Sequence, residues 1–208
     1  NRAKRSAVRR FGDDSDASHH LQTADLPVIG DLWKTRSLRP AEKGGQPFVF
    51  PTESRPVVVG SIRMGFGHYR IAMAMASAAH AMGHDPYWMD LCGFPESTGS
   101  KVISHQNDLY SLGSRLSQRV SIFDKLVWEP INSEAFRRLS RNASDQRTTE
   151  LMAPIMADLP ADVPLVATHA WVAQAAVHAG LTRVVNAIPD NWPMALHLAE
   201  GAMHTVQT

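Results

Sequence analysis

Cysteine is all but missing: Cys92 is the only one in 208 residues. A disulfide framework and a cysteine-rich metal site are therefore excluded. A single thiol suits a reducing compartment, so a cytoplasmic setting is expected. No run of about 18 apolar residues occurs, which argues against a transmembrane helix. The basic start, Asn1-Arg2-Ala3-Lys4-Arg5, has no apolar stretch behind it and does not read as a secretory signal. The formal net charge is only +1, so nothing calls for a nucleic acid partner. Ten histidines are present, but no pair has a strong ligand spacing, and no metal is expected.

What is present is apolar material. Hydrophobic residues make up 44% of the chain, enough for one domain with a real core and something extra. Charge is spread unevenly. Residues 1–56 carry ten Lys/Arg against seven Asp/Glu, while residues 57–208 carry eleven against thirteen. With scattered prolines and weak apolar periodicity, 1–56 reads as an extended, largely irregular N-terminal arm wrapping the surface. Val28-Ile29 and Phe48-Val49-Phe50 are the pieces of it expected to dock in extended form.

Order is expected from Pro56 onward. Val57-Val58-Val59-Gly60-Ser61-Ile62 is a β-branched run, the mark of a buried parallel strand. The stretch Met64-Gly65-Phe66-Gly67-His68 follows. From His68 to Met82 the pattern is helical, with Ile71, Met75, Ala78 and Met82 on the expected buried face and Gly83 as the stop. Tyr87–Leu91 is a second strand, completing a right-handed βαβ unit. Residues 100–158 read as several helices. Pro164–Thr168 and Arg183–Ile188 are strands three and four, separated by an Ala-rich helix from His169 to His178 that Gly180 closes. Residues 193–200 read as one more helix, and Met203–Val206 as a fifth strand. Strands alternating with helices predict an α/β fold with a doubly wound, Rossmann-like parallel sheet over 57–208. The end at Thr208, directly after the fifth strand, reads as stopping short of a partner domain.

Ligands of such sheets bind beyond the carboxyl ends of the strands. The residues there are Arg63, Gly65, Phe66, Gly67 and His68, then Asp90, then Thr168 and His169, then Asp190 and Asn191. Two glycines let backbone approach a ligand, and the free N–H groups of the next helix favour an oxyanion. A neutral imidazole at His68 takes a proton from a hydroxyl, with Asp190 to orient it or to hold the acceptor hydroxyl. Arg70 stands where a dinucleotide fingerprint needs its last glycine, and no Gly-Lys-Ser/Thr ending makes a P-loop. Cys92 reads as a small buried hydrophobe. Over residues 115–141, Leu116, Val120, Phe123, Leu126 and Val127 fall at helical steps. Arg115, Arg119, Lys125, Arg137, Arg138 and Arg141 accompany them, against three acids. That is either a membrane-surface patch or a helix packing its stripe on the core.

The stretch from Val57 through Gly65-Phe66-Gly67-His68-Tyr69-Arg70, with Ala72 and Ala74, resembles the opening of GT-B glycosyltransferases. Closest in style are the monogalactosyldiacylglycerol synthases and the peptidoglycan N-acetylglucosaminyltransferases that use a lipid-linked acceptor. Val184–Asp190 is similar to a synthase strand ending in Asp near the cleft. The resemblance implies the N-terminal, acceptor-binding half of a GT-B enzyme, with the donor held by a C-terminal domain that this chain lacks. It implies His68 as base and Asp190 beside it. Substrate-binding residues would be Arg63, Gly65, Phe66, Gly67, His169 and Asn191. A nucleotide-sugar, UDP-linked, is the implied co-substrate, with no other cofactor, and a hydroxyl acceptor, a lipid among the options. Rival expectations are a sugar-nucleotide epimerase of the same fold and a non-catalytic binding module.

Overall fold

The computed structural model describes residues 2–17, 19–42, 48–64, 66–133, 138–191 and 193–206. In chain order the elements are α1 (Arg2–Phe11), β1 (Leu21–Asp25), α2 (Ile29–Trp33), β2 (Arg36–Pro40), β3 (Pro56–Ser61), α3 (Phe66–Ala81), β4 (Asp85–Asp90) and α4 (Thr98–Arg119). Then come α5 (Ser121–Phe123), a π-helical turn (Asp124–Trp128), α6 (Glu129–Ser133), α7 (Leu139–Thr149) and a 3-10 stretch (Glu150–Met156). β5 (Leu165–Ala167), α8 (Ala170–His178), β6 (Val184–Ala187), a 3-10 turn (Ala195–His197) and β7 (Met203–Thr205) complete the chain.

The seven strands form one sheet in the order β1-β2-β4-β3-β5-β6-β7. All neighbours are parallel except β1, which runs antiparallel on β2. This is the α/β, doubly wound, Rossmann-like architecture. Helices cover both faces because consecutive residues of β3 point to opposite sides. Val58 joins the larger core with Met89, Leu165 and Val172, under α4 and α8. Val59 joins the smaller one with Trp88, Ala72 and Ala76, under α3. No helix among the described residues is long and apolar enough to cross a membrane.

Three expectations need correction. First, residues 1–56 are not largely irregular: they supply α1, α2 and two strands of the sheet. β1 and β2 each bury only part of their length, so their polar sequences hide the pattern, yet Leu21 and Leu38 are in the main core. α1 lies on α4 and α7, with Ala7, Val8 and Phe11 against the core and Lys4 paired to Glu150 at 2.5 Å. Val28-Ile29 is not extended, since α2 begins at Ile29. Second, the buried stripe of α3 is Ala72 and Ala76, and Met82 is exposed. Small alanines let the helix sit close to the sheet, Met73 and Met75 pack at the margin of the stripe, and Met82 falls beyond the end of the helix at Ala81. Third, 193–200 forms only the three-residue turn Ala195–His197. The expected helix stops at Gly83 and Gly180 are present, both at positive φ (77° and 90°).

Candidate functional site

β3 and β5 are adjacent and parallel, yet their connections run to opposite faces. That switch point opens a crevice at the carboxyl edge. A cleft of about 80 Å³ lies there, with His68, Thr168, His169, Asp190 and His197 among its walls. His68 comes from the first turn of α3. His169 is the N-cap of α8. Asp190 follows β6, and His197 comes from the turn before β7.

Hydrogen bonds fix which nitrogen of each ring does what. The Nδ1–H of His68 donates to the Thr168 carbonyl at 2.6 Å. Its Nε2 therefore carries the lone pair when the ring is neutral. His169 has the opposite tautomer. Its Nδ1 accepts the Trp171 amide N–H at 3.1 Å, so the proton is on Nε2. The two rings meet edge to face, 4.9 Å between centroids. Burial, followed by the neighbouring His68 and His197 rings, lowers the pKa of His169 to about 3, so it stays uncharged.

His197 is held the same way as His169. Its Nδ1 accepts the Met194 amide at 3.0 Å, and its Nε2–H donates to Asp190 Oδ2 at 2.9 Å. Burial lowers its pKa, the Asp190 carboxylate opposes that, and His68 adds to the lowering. Three buried carboxamides pin this turn. Asn186 Nδ2 donates to His197 O at 2.6 Å, and Asn142 Nδ2 and Gln174 Nε2 both donate to Leu198 O at 2.8 and 2.7 Å. The cleft thus offers a proton acceptor (His68), a neutral donor (His169) and a carboxylate (Asp190) on a rigid frame.

The cleft continues, through His169 and Leu196, into an apolar hollow of about 210 Å³ that Met64, Tyr110 and Trp171 also line. Asp145 stands at its rim beside Arg141, 3.2 Å away, and burial raises the carboxyl's pKa against the pull of that cation.

Of the residues singled out in the sequence, His68, His169 and Asp190 come together in the cleft. Asp190 partners His197 and not His68, whose ring is oriented by a backbone carbonyl instead. Arg63 turns away to pair with Asp90 at 2.6 Å, a carboxyl that burial pushes up in pKa and that the Cys92 amide and Arg63 pull down. Asn191 is exposed beyond the cleft wall. A Cβ at Gly67 would meet open space. Gly65 and the side chain of Phe66 lie outside the described residues, as does Arg137. Cys92 is half-buried, and burial raises its thiol pKa, which disfavours the nucleophilic thiolate. His197 escaped the sequence reading. The only trace of it is a histidine seven residues past the Asp that ends a strand. Among the described residues no group of three or more His, Cys, Asp or Glu is placed to hold a metal ion.

No curated protein and no solved structure matches the chain. One family model, described as a domain of unknown function (DUF6937), matches residues 1–208. The chain belongs to the DUF6937 family.

Proposed function

We propose that this chain is the acceptor-binding half of a glycosyltransferase that moves a sugar from a nucleotide-sugar, UDP-linked, to a hydroxyl. The observation that carries the reading is the His68–Thr168 bond. It leaves a basic Nε2 in a cleft at the switch point, where a hydroxyl proton can be taken. The acceptor O–H gives its proton to His68 Nε2, and the oxygen forms a bond to the anomeric carbon. The bond from that carbon to the departing nucleotide phosphate breaks. The imidazolium so formed keeps its Nδ1–H on the Thr168 carbonyl, which favours the charge. A second domain would hold the nucleotide.

A lipid acceptor and a membrane-surface setting on the cytoplasmic side are part of the same proposal. The apolar hollow beside the cleft ends at Tyr110 of α4, and beyond it that helix and the turns after it carry exposed Leu112 (57%), Ile122 (72%) and Leu126 (73%). Large exposed aliphatics of this kind suit an interaction surface. Arg115, Arg119 and Lys125 stand among them, the charge that suits anionic headgroups.

The test is transfer from radiolabelled UDP-sugars to lipid acceptors by the native full-length protein. His68→Ala should lower turnover by about 10²–10⁴-fold, the range of general-base catalysis, with donor binding kept. Unchanged turnover sinks the base. Conversion of the UDP-sugar without any acceptor would instead mark an epimerase.

A further inference from the structure

The cleft presents more hydrogen-bonding capacity than a lone hydroxyl can use. His68 and His169 each have one ring nitrogen left after Thr168 and Trp171 are served, and neither Nε2 has a partner among the described residues. One accepts and the other donates. A hydroxyl is both donor and acceptor, so a single hydroxyl can serve both free nitrogens. Asp190 is then left over. His197 takes only its Oδ2, and its Oδ1 has no partner among the described residues, on a side chain that is 56% exposed. A carboxylate oxygen only accepts. It calls for a second donor on the same ligand.

We propose that the cleft selects a polyol, holding one hydroxyl between His68 Nε2 and His169 Nε2–H and a neighbouring hydroxyl on Asp190 Oδ1. The substrate class is a sugar ring or glycerol-type head with adjacent hydroxyls, and not a monohydric alcohol. The assignment of the first hydroxyl as the reacting one rests on the glycosyl-transfer reading above. The binding itself does not. His169 serves as a fixed donor because its other nitrogen is committed to capping α8, which sets the tautomer whatever enters the cleft. Asp190 is correspondingly steered by His197, itself locked by the Met194 amide.

Proton–nitrogen correlation spectra of the histidine rings in the full chain test this directly, with glycerol and myo-inositol as probes and 2-propanol as the monohydric control. Both polyols should shift the His68 and His169 ring signals at concentrations where 2-propanol does not. Asp190→Ala should weaken glycerol about tenfold, the loss of one charge-assisted hydrogen bond, and leave the response to 2-propanol as it was. His169→Asn keeps both a capping oxygen and an N–H donor and should retain glycerol binding, whereas His169→Leu should lose it. Equal shifts from 2-propanol and glycerol, a preference that survives Asp190→Ala, or no shift at either ring overturns the inference. Polyol binding without sugar transfer would leave it standing and remove the glycosyltransferase reading. Transfer to monohydric alcohols as fast as to polyols would do the reverse.

Discussion

The ring of His169 caps α8: its Nδ1 accepts the backbone N–H of Trp171 at 3.1 Å. A protonated ring has no lone pair to give, so charging His169 breaks the cap and buries a cation. The unfolded chain takes up that proton near the ordinary value of 6.5, the folded chain only near 3. Between those values the unfolded state binds more protons, so stability is full above 6.5 and falls as pH drops towards 3. The slope should reach at most about 1.4 kcal/mol per pH unit. Urea denaturation across this window checks it. His169→Asn, which cannot titrate there, should flatten the curve, and an unchanged curve would show that His169 does not carry the acid sensitivity.

Gln174 should matter more to the loop than to the fold. It donates to Leu198 O and accepts the Thr149 hydroxyl at 3.2 Å while fully enclosed. Gln174→Leu removes both bonds, and each partner retains another, Asn142 for Leu198 O and Gln146 O for Thr149. We expect a loss of about 1–3 kcal/mol, with amide exchange rising first at 194–199. Protection there equal to that of the parent protein would mean that the carboxamides do not hold the His197 turn.

Gly60 sets the distance between α8 and the sheet. A Cβ at Gly60 would lie 2.5 Å from Val172 Cγ1. Gly60→Ala should destabilise by about 1–3 kcal/mol through overpacking. Adding Val172→Ala opens room for the new methyl, so the double variant should lose less than the two single losses combined. Strict additivity in the cycle would place the cost elsewhere.

Membrane binding has its own signature. The chain should co-sediment with phosphatidylglycerol vesicles at low salt, less so as salt rises and screens the arginines. Ile122→Asp with Leu126→Asp should abolish sedimentation and leave the melting temperature nearly unchanged, since both side chains are exposed. Binding that survives this pair would acquit the α4–α6 surface.

The parallel core was readable because its strands are nearly continuous apolar runs rich in valine: Val57-Val58-Val59, Leu165-Val166 and Val184-Val185 each fall within a strand. Gly83 and Gly180 punctuate the helices for a local reason, positive φ. β1 and β2 were not readable: β1 is an edge strand that buries little beyond Leu21, and β2, though flanked by β1 and β4, buries only Ser37 and Leu38, so Arg36-Ser37-Leu38-Arg39-Pro40 alone says nothing of β4 beside it. In the cleft, side chains at strand ends could be named from topology, and His68, His169 and Asp190 do meet there. Their wiring could not. The partner of His68 is a main-chain carbonyl that any residue would supply. His197 is placed by Asn186, Asn142 and Gln174, three residues with no sequence relation to it.

The bond from His68 to Thr168 joins residues 100 positions apart. A nascent chain that has emerged through α7 therefore holds the His68 ring with nothing to orient it. Only once β5 has been made and has docked on β3 does the ring acquire its tautomer, and parallel pairing at that separation is a slow, non-local step. The protein can have most of its helices while it still has no cleft.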